Sequence, residues 1–206
     1  MRFETLTLNK ALVVEFSEIE LPKPDIIEMY YNPIYDIQYA TGKRYMHRLN
    51  NRSEIDTFFT LLCWDTVYPA LVSTPTFRNE YPFNVEFLKK NTKVGVELIR
   101  DQIGYAQGFH FDNRGYVLAG SFHLKDSPLN GTRIYGETHE DRPTPIFATP
   151  SLENTGAFWV NNMFSGHSVD PVKDTDRFFY LVHVLWNLDY SVYEPSEIRQ
   201  YDDDLI

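Results

Sequence analysis

The sequence predicts a mainly β protein of the sandwich or jelly-roll kind with a few flanking helices. Three observations lead there. After residue 94 the chain breaks into short β-branched and aromatic runs with Gly, Pro and Asn between them. Helical spacing is confined to two stretches, both before that point. With 43% of the 206 residues hydrophobic and 16% aromatic, the chain can close one sizeable core.

Residues 5–15 begin with the alternation Thr5-Leu6-Thr7-Leu8 and turn apolar at Ala11-Leu12-Val13-Val14, which predicts one opening strand. Ser53-Glu54-Ile55-Asp56 reads as a capping box, and Ile55, Phe58, Phe59 and Leu62 follow at helical spacing, so a helix should pack on the outside of a sheet. Asn84 ahead of residues 85–90 predicts a second, shorter capped helix. Strands are expected over 94–100, 116–124, 132–135, 146–149, 157–160 and 178–185. No repeat or low-complexity linker divides the chain, which predicts one domain. In it, residues 1–93 support a core of residues 94–190 that carries the site, and 191–206 form an acidic tail with Asp202-Asp203-Asp204.

Charge and cysteine usage narrow the partners. There are 29 acidic and 19 basic side chains, for a net charge of -10, which disfavours nucleic acid. Lys43-Arg44 with Arg48 and Arg52, and Lys89-Lys90 with Lys93, read as solvated faces. The single cysteine, Cys63, lies in the apolar run of residues 58–64 and reads as a buried structural thiol in a reducing compartment. The first ten residues lack the apolar run of a leader, and no stretch is long enough to cross a bilayer. The expectation is a cytoplasmic protein with no membrane partner.

The chemistry concentrates in three places. His110 and Asp112 form a His-x-Asp pair, and on a strand residues i and i+2 point to the same side, so both can converge on one ion. Such a pair alone is a weak signal. His167 follows 55 residues after Asp112, and together the three offer the two-histidine, one-carboxylate set that suits non-haem Fe(II) with open positions for reactants. Arg177, ten residues beyond His167, supplies a permanent cationic fork for a dicarboxylate cosubstrate. The alternative for Arg177 is a surface ion pair with Asp174 or Asp176.

These residues also carry a resemblance. LIRDQIGYAQGFHFD (residues 98–112), followed by Asn113 and Arg114, resembles the first-ligand region of Fe(II)/2-oxoglutarate-dependent oxygenases related to prolyl hydroxylases. SFHLKD (121–126) and GTRIY (131–135) resemble the strand, acidic turn and Gly-Thr strand that follow. His167-Ser168-Val169-Asp170-Pro171-Val172 and then Arg177 resemble the distal segment of that family. The resemblance covers roughly residues 94–190, and nothing comparable marks 1–93.

The resemblance implies a double-stranded β-helix (a jelly roll, cupin-like) with His110, Asp112 and His167 as catalytic metal ligands. Fe(II) is then the metal, 2-oxoglutarate the cosubstrate with its far carboxylate on Arg177, and O2 the oxidant. The reaction implied is hydroxylation of a C–H bond of a peptidyl side chain, prolyl among them, or of a small molecule, with release of succinate and CO2. One departure stands out. Some members of the wider class carry Arg-x-Ser on the last strand, whereas Arg177 precedes Phe178-Phe179, so the second donor to the far carboxylate is open among Tyr105, Ser121 and Thr132. Tyr105 is also read as a cosubstrate contact, with aromatic packing as its alternative.

The other histidines read blandly. His123 and His183 are expected as satisfied sheet residues, His47 as solvent-facing, and His139 as part of an exposed acidic loop. The aromatic segment of residues 30–39 is expected to pack on the core or line a groove, and residues 136–145 to form a lid. Two other functions fit parts of this pattern. One is a cupin-like metal-binding or sensing protein without oxygenase activity, and the other a nucleobase-oxidising oxygenase.

Overall fold

The computed structural model describes every residue except 9, 25–31, 35–39, 49–52, 82, 114, 128–130, 137–143 and 188–206. His139, most of the aromatic segment 30–39, most of the loop 136–145 and the acidic tail therefore lie outside the described residues. Strands dominate. From the N-terminus come β1 (Arg2–Leu8), β2 (Ala11–Ser17), β3 (Asn32–Ile34), β4 (Ala40–Thr41) and β5 (Arg44–Arg48). After a helical stretch follow β6 (Thr92–Asp101), β7 (Ala106–His110), β8 (Tyr116–His123), β9 (Thr132–Ile134), β10 (Phe147–Ala148), β11 (Thr155–Val160), β12 (His167–Val169) and β13 (Arg177–Trp186).

Two antiparallel sheets result. The larger has eight strands in the order β1-β2-β11-β8-β13-β6-β5-β3, and the smaller five in the order β10-β9-β12-β7-β4. This is the expected mainly β, double-stranded β-helix architecture, with one difference at its start. The predicted opening strand is a hairpin, because the chain reverses between Leu8 and Ala11 with Lys10 in the left-handed region at φ 68°. β2 then pairs with β11, so residues far upstream of the motif region belong to the large sheet.

Helices cover the outer face of that sheet. α1 (Ser53–Leu62) forms where its spacing predicts, and it continues through a π-helical turn (Cys63–Val67) into α2 (Tyr68–Ser73) and α3 (Pro75–Glu80). The extension escapes a periodicity reading because Pro69 and Pro75 interrupt the pattern. Pro75 falls in the first turn of α3, after an extended Thr74, where the missing N–H costs no bond, whereas Pro69 follows directly on the π-helical turn inside the continuous helix. α4 (Val85–Asn91) is capped as expected, the Asn84 side chain accepting from the Phe87 N–H at 2.8 Å.

The two faces of the large sheet differ in chemistry. On the helix side, Phe59 packs edge-on to Phe122 and Tyr180, at ring-centroid distances of 5.1 and 5.4 Å, among a cluster that includes Val182, Val184 and buried Cys63. Burial pushes the Cys63 thiol well above its ordinary pKa, as suits a structural cysteine. On the other face Ala11, Val13, Ala119, Ala157 and Trp159 meet Ile134 of the small sheet. Strand alternation sends the remaining residues of that face, among them Ser121, His123, Phe179 and Arg177, into the same inter-sheet space. Among the described residues no helix is long and apolar enough to cross a membrane.

Candidate metal centre and the buried arginine row

His110 ends β7, and His167 begins the neighbouring strand β12, directly opposite it in the antiparallel register. The two imidazoles lie 4.3 Å apart, centroid to centroid. Asp112, two residues past His110, brings a carboxylate oxygen to 3.6 Å from His167 Nε2. One ligand atom from each of His110, Asp112 and His167 lies within 4.8 Å of the others, so the three residues singled out in the sequence form one cluster.

Backbone carbonyls orient both rings. His110 Nδ1 bonds the Gly108 carbonyl at 2.8 Å, and His167 Nδ1 bonds the Ser165 carbonyl at 2.9 Å. Each bond places the ring proton on Nδ1 and leaves Nε2 with its lone pair toward the cluster, as in metal-binding histidines generally. Burial, helped by the neighbouring His167, lowers the pKa of His110 and favours the neutral, ligating form. The Gln107 amide lies 3.1 Å from His110 Nε2, and its carbonyl accepts from the Tyr105 hydroxyl at 3.2 Å. Asp112 Oδ2 is buried with no hydrogen-bond partner among the described residues. A buried carboxylate oxygen left in that state is costly unless a cation or donor meets it. The donor set and this orphaned oxygen both fit a divalent metal such as Fe(II).

Arg177 is fully buried, and its partner is neither Asp174 nor Asp176 but Asp101. Its Nε and NH2 reach Asp101 Oδ2 at 3.0 and 2.5 Å. Asp176 instead pairs with Arg100, at 2.6 Å. Asp101 is shared, because Arg44 also grips it, Nε to Oδ1 at 2.6 Å and NH2 to Oδ2 at 2.9 Å. Arg44, expected on a solvated face, is 6% exposed and lies over the Tyr105 ring. The reason is register: Arg44, Asp101 and Arg177 sit opposite one another on β5, β6 and β13, forming one row across three strands. Burial works against the Asp101 charge, but Arg44 and Arg177 outweigh it and hold the carboxyl below its usual range.

The adjoining rows carry further polar groups without partners. His123, opposite Phe179 and stacked on it at 5.6 Å, has neither ring nitrogen bonded among the described residues, so it is not the satisfied sheet residue expected. Ser121 Oγ and Trp159 Nε1 are likewise buried and unbonded. Of the three residues left open as second donor, Ser121 has its hydroxyl unclaimed, and the Tyr105 hydroxyl goes to Gln107. Thr132 lies buried on β9, its backbone N–H bonded to Thr149 Oγ1. Sequence reading missed Arg44, Asp101 and Trp159. The available signal was a charged residue at the inward phase of an alternating strand in both RYMHR and VELIRD.

Among solved structures, the chain is similar to an oxidoreductase of the 2OG-Fe(II) oxygenase family from Burkholderia pseudomallei. The TM-score is 0.51 at 15% identity, over 84% of this chain and 85% of that one. Its fold is that of the 2OG-Fe(II) oxygenases. A prolyl-4-hydroxylase from Pseudomonas putida aligns at TM-score 0.49 and 11% identity, covering 76% of this chain and 78% of that one. No family model matches the sequence, and no curated protein does.

Proposed function

We propose that this chain is an Fe(II)- and 2-oxoglutarate-dependent dioxygenase that hydroxylates a C–H bond of a peptidyl side chain or a small molecule. The observation that carries the reading is the convergence of His110, Asp112 and His167 within 4.8 Å, on a 2OG-Fe(II) oxygenase fold. His110 and His167 would hold the metal through Nε2 and Asp112 through a carboxylate oxygen, leaving positions for reactants. With metal, 2-oxoglutarate and O2 present, the cosubstrate is decarboxylated to succinate and CO2, and the substrate carbon gains a hydroxyl.

The protein's own share is positioning and exclusion of water. Arg177 receives the far carboxylate of the cosubstrate, since a buried carboxylate needs a charged donor and the buried guanidinium provides one. Ser121 and His123, buried and unbonded one or two rows along the same face, are the candidates for the second donor. Tyr105 belongs to the same region through its ring beneath Arg44 and its hydroxyl bond to Gln107, the residue that touches His110. The ring of Trp159, 5.2 Å from that of His167, walls the metal side.

Anaerobic titration of Fe(II) and 2-oxoglutarate into metal-free protein tests the reading through the visible charge-transfer band of the chelated complex. The expected result is a band that His167→Ala abolishes and Arg177→Met weakens. Metal binding with no band, and indifference to Arg177→Met, would favour a metal-binding protein without oxygenase activity.

A further inference from the structure

Arg44, Asp101 and Arg177 form a buried row of two guanidinium groups around one carboxylate. Arginine keeps its proton in proteins and Asp101 is held ionised, so the row carries one net positive charge. Asp101 and Arg177 are fully buried, and Arg44 is nearly so. Without Arg44, the pair left on β6 and β13 would be neutral. Glu97, the other acid acting on Arg44, is half-buried and lies four residues before Asp101 on β6, opposite Arg48 rather than in the row. A buried net charge is costly unless a counter-ion meets it. The inter-sheet face beside the row also holds two buried, unbonded polar side chains, Ser121 and His123. The His123 imidazole is close enough to feel the charges of Arg177 and Asp101.

We infer that Arg44 sets the cosubstrate charge specificity of the site: by neutralising Asp101 it leaves Arg177 a net positive charge that selects a dicarboxylic oxo-acid over a monocarboxylic one. Arg44 is here a positioning residue, acting through Asp101. The inference rests on the reading of the site as a 2-oxoglutarate site. It also predicts that charge count, rather than Arg44 itself, decides the preference. Removing Asp101 together with Arg44 leaves Arg177 alone, again with one positive charge.

The test compares 2-oxoglutarate with 2-oxobutanoate, which has the same chelating keto-acid head but no far carboxylate. Affinity is read anaerobically on the Fe(II)-loaded protein by calorimetry and by the visible band, with circular dichroism to verify folding. Wild type should prefer 2-oxoglutarate. R44M should lose roughly 10- to 100-fold in 2-oxoglutarate affinity, the worth of one charge-assisted contact, with 2-oxobutanoate almost unchanged. R44M/D101N should regain most of that loss, and R44K, which keeps the charge, should retain the preference. If R44M does not fold, the latter two variants still decide, since loss of the preference in R44M/D101N overturns the inference. It is also overturned if R44M matches wild type, if both ligands weaken equally, or if the double variant is no better than R44M. A wild type without preference would overturn the dicarboxylate reading itself, a result distinct from any of these.

Discussion

Around Arg177 the inner face of the large sheet carries charged and polar side chains that are buried, an expensive combination that shows most clearly at His123. Burial, with Arg177 adding to it, lowers the His123 pKa from 6.5 to about 3. A histidine depressed in this way is neutral in the folded chain, while the unfolded chain takes up a proton once the pH drops below about 6.5. Its contribution to stability is therefore intact above pH 6.5 and is lost as the pH falls from there toward 3, at about 1.4 kcal/mol per pH unit. His110 and His183, also lowered, act in the same direction. Chemical denaturation between pH 7 and 5 should show stability falling with pH, and His123→Phe should flatten the slope by about one proton's worth. An unchanged slope in that variant would show that His123 is not buried and neutral. At this scale the candidate metal cluster was readable because His110 and Asp112 are two apart in the chain, although Asp112 lies just past the end of β7 rather than on it. Arg44 and Asp101 were not, because a pair 57 residues apart is created by strand register, which no local pattern of residue types encodes.

Elements are held in place by close backbone approach as much as by side-chain packing. At Gly120 in β8, an added Cβ would lie 2.7 Å from Phe158 Cδ1 and 2.8 Å from the Ala157 carbonyl oxygen of β11. The carbonyl belongs to a paired strand in mid-sheet and cannot yield cheaply. Gly120→Ala should cost about 1–3 kcal/mol, read as a lower denaturant midpoint with an unchanged m-value. A neutral result would mean that β8 and β11 can separate locally. Strand existence was largely predictable from alternation and turn residues. The exceptions are instructive: the short strands β3, β4, β5 and β12 were not expected, the β1–β2 reversal has no Gly to mark it, and Pro69 and Pro75 read as breakers where the chain remains helical.

For the molecule as a whole, the motif-bearing half is packed against and paired with the rest of the chain. β2 covers the edge of β11, β5 covers the edge of β6, and α1 buries Phe122 and Tyr180. A fragment of residues 92–187 would contain His110, Asp112, His167 and Arg177, yet expose three strand edges, those of β11, β6 and β7, and the face that Phe59 covers. It should show no cooperative melt and poor NMR dispersion. A cooperative transition in the fragment would instead mark residues 92–187 as an independent folding unit. Among the described residues, 1–93 complete both sheets, cover the large one with helices and supply Arg44, contributions that no motif announces.

The position of β13 bears on how such a chain is made. It is the last described strand, yet it lies in the interior of the large sheet, between β8 and β6. The assemblies β1-β2-β11-β8 and β6-β5-β3 are joined in that sheet by β13 alone. During vectorial synthesis two partial sheets must therefore wait with open inner edges until Trp186 has emerged. A ribosome that stalls before that point releases a chain whose exposed edges invite aggregation.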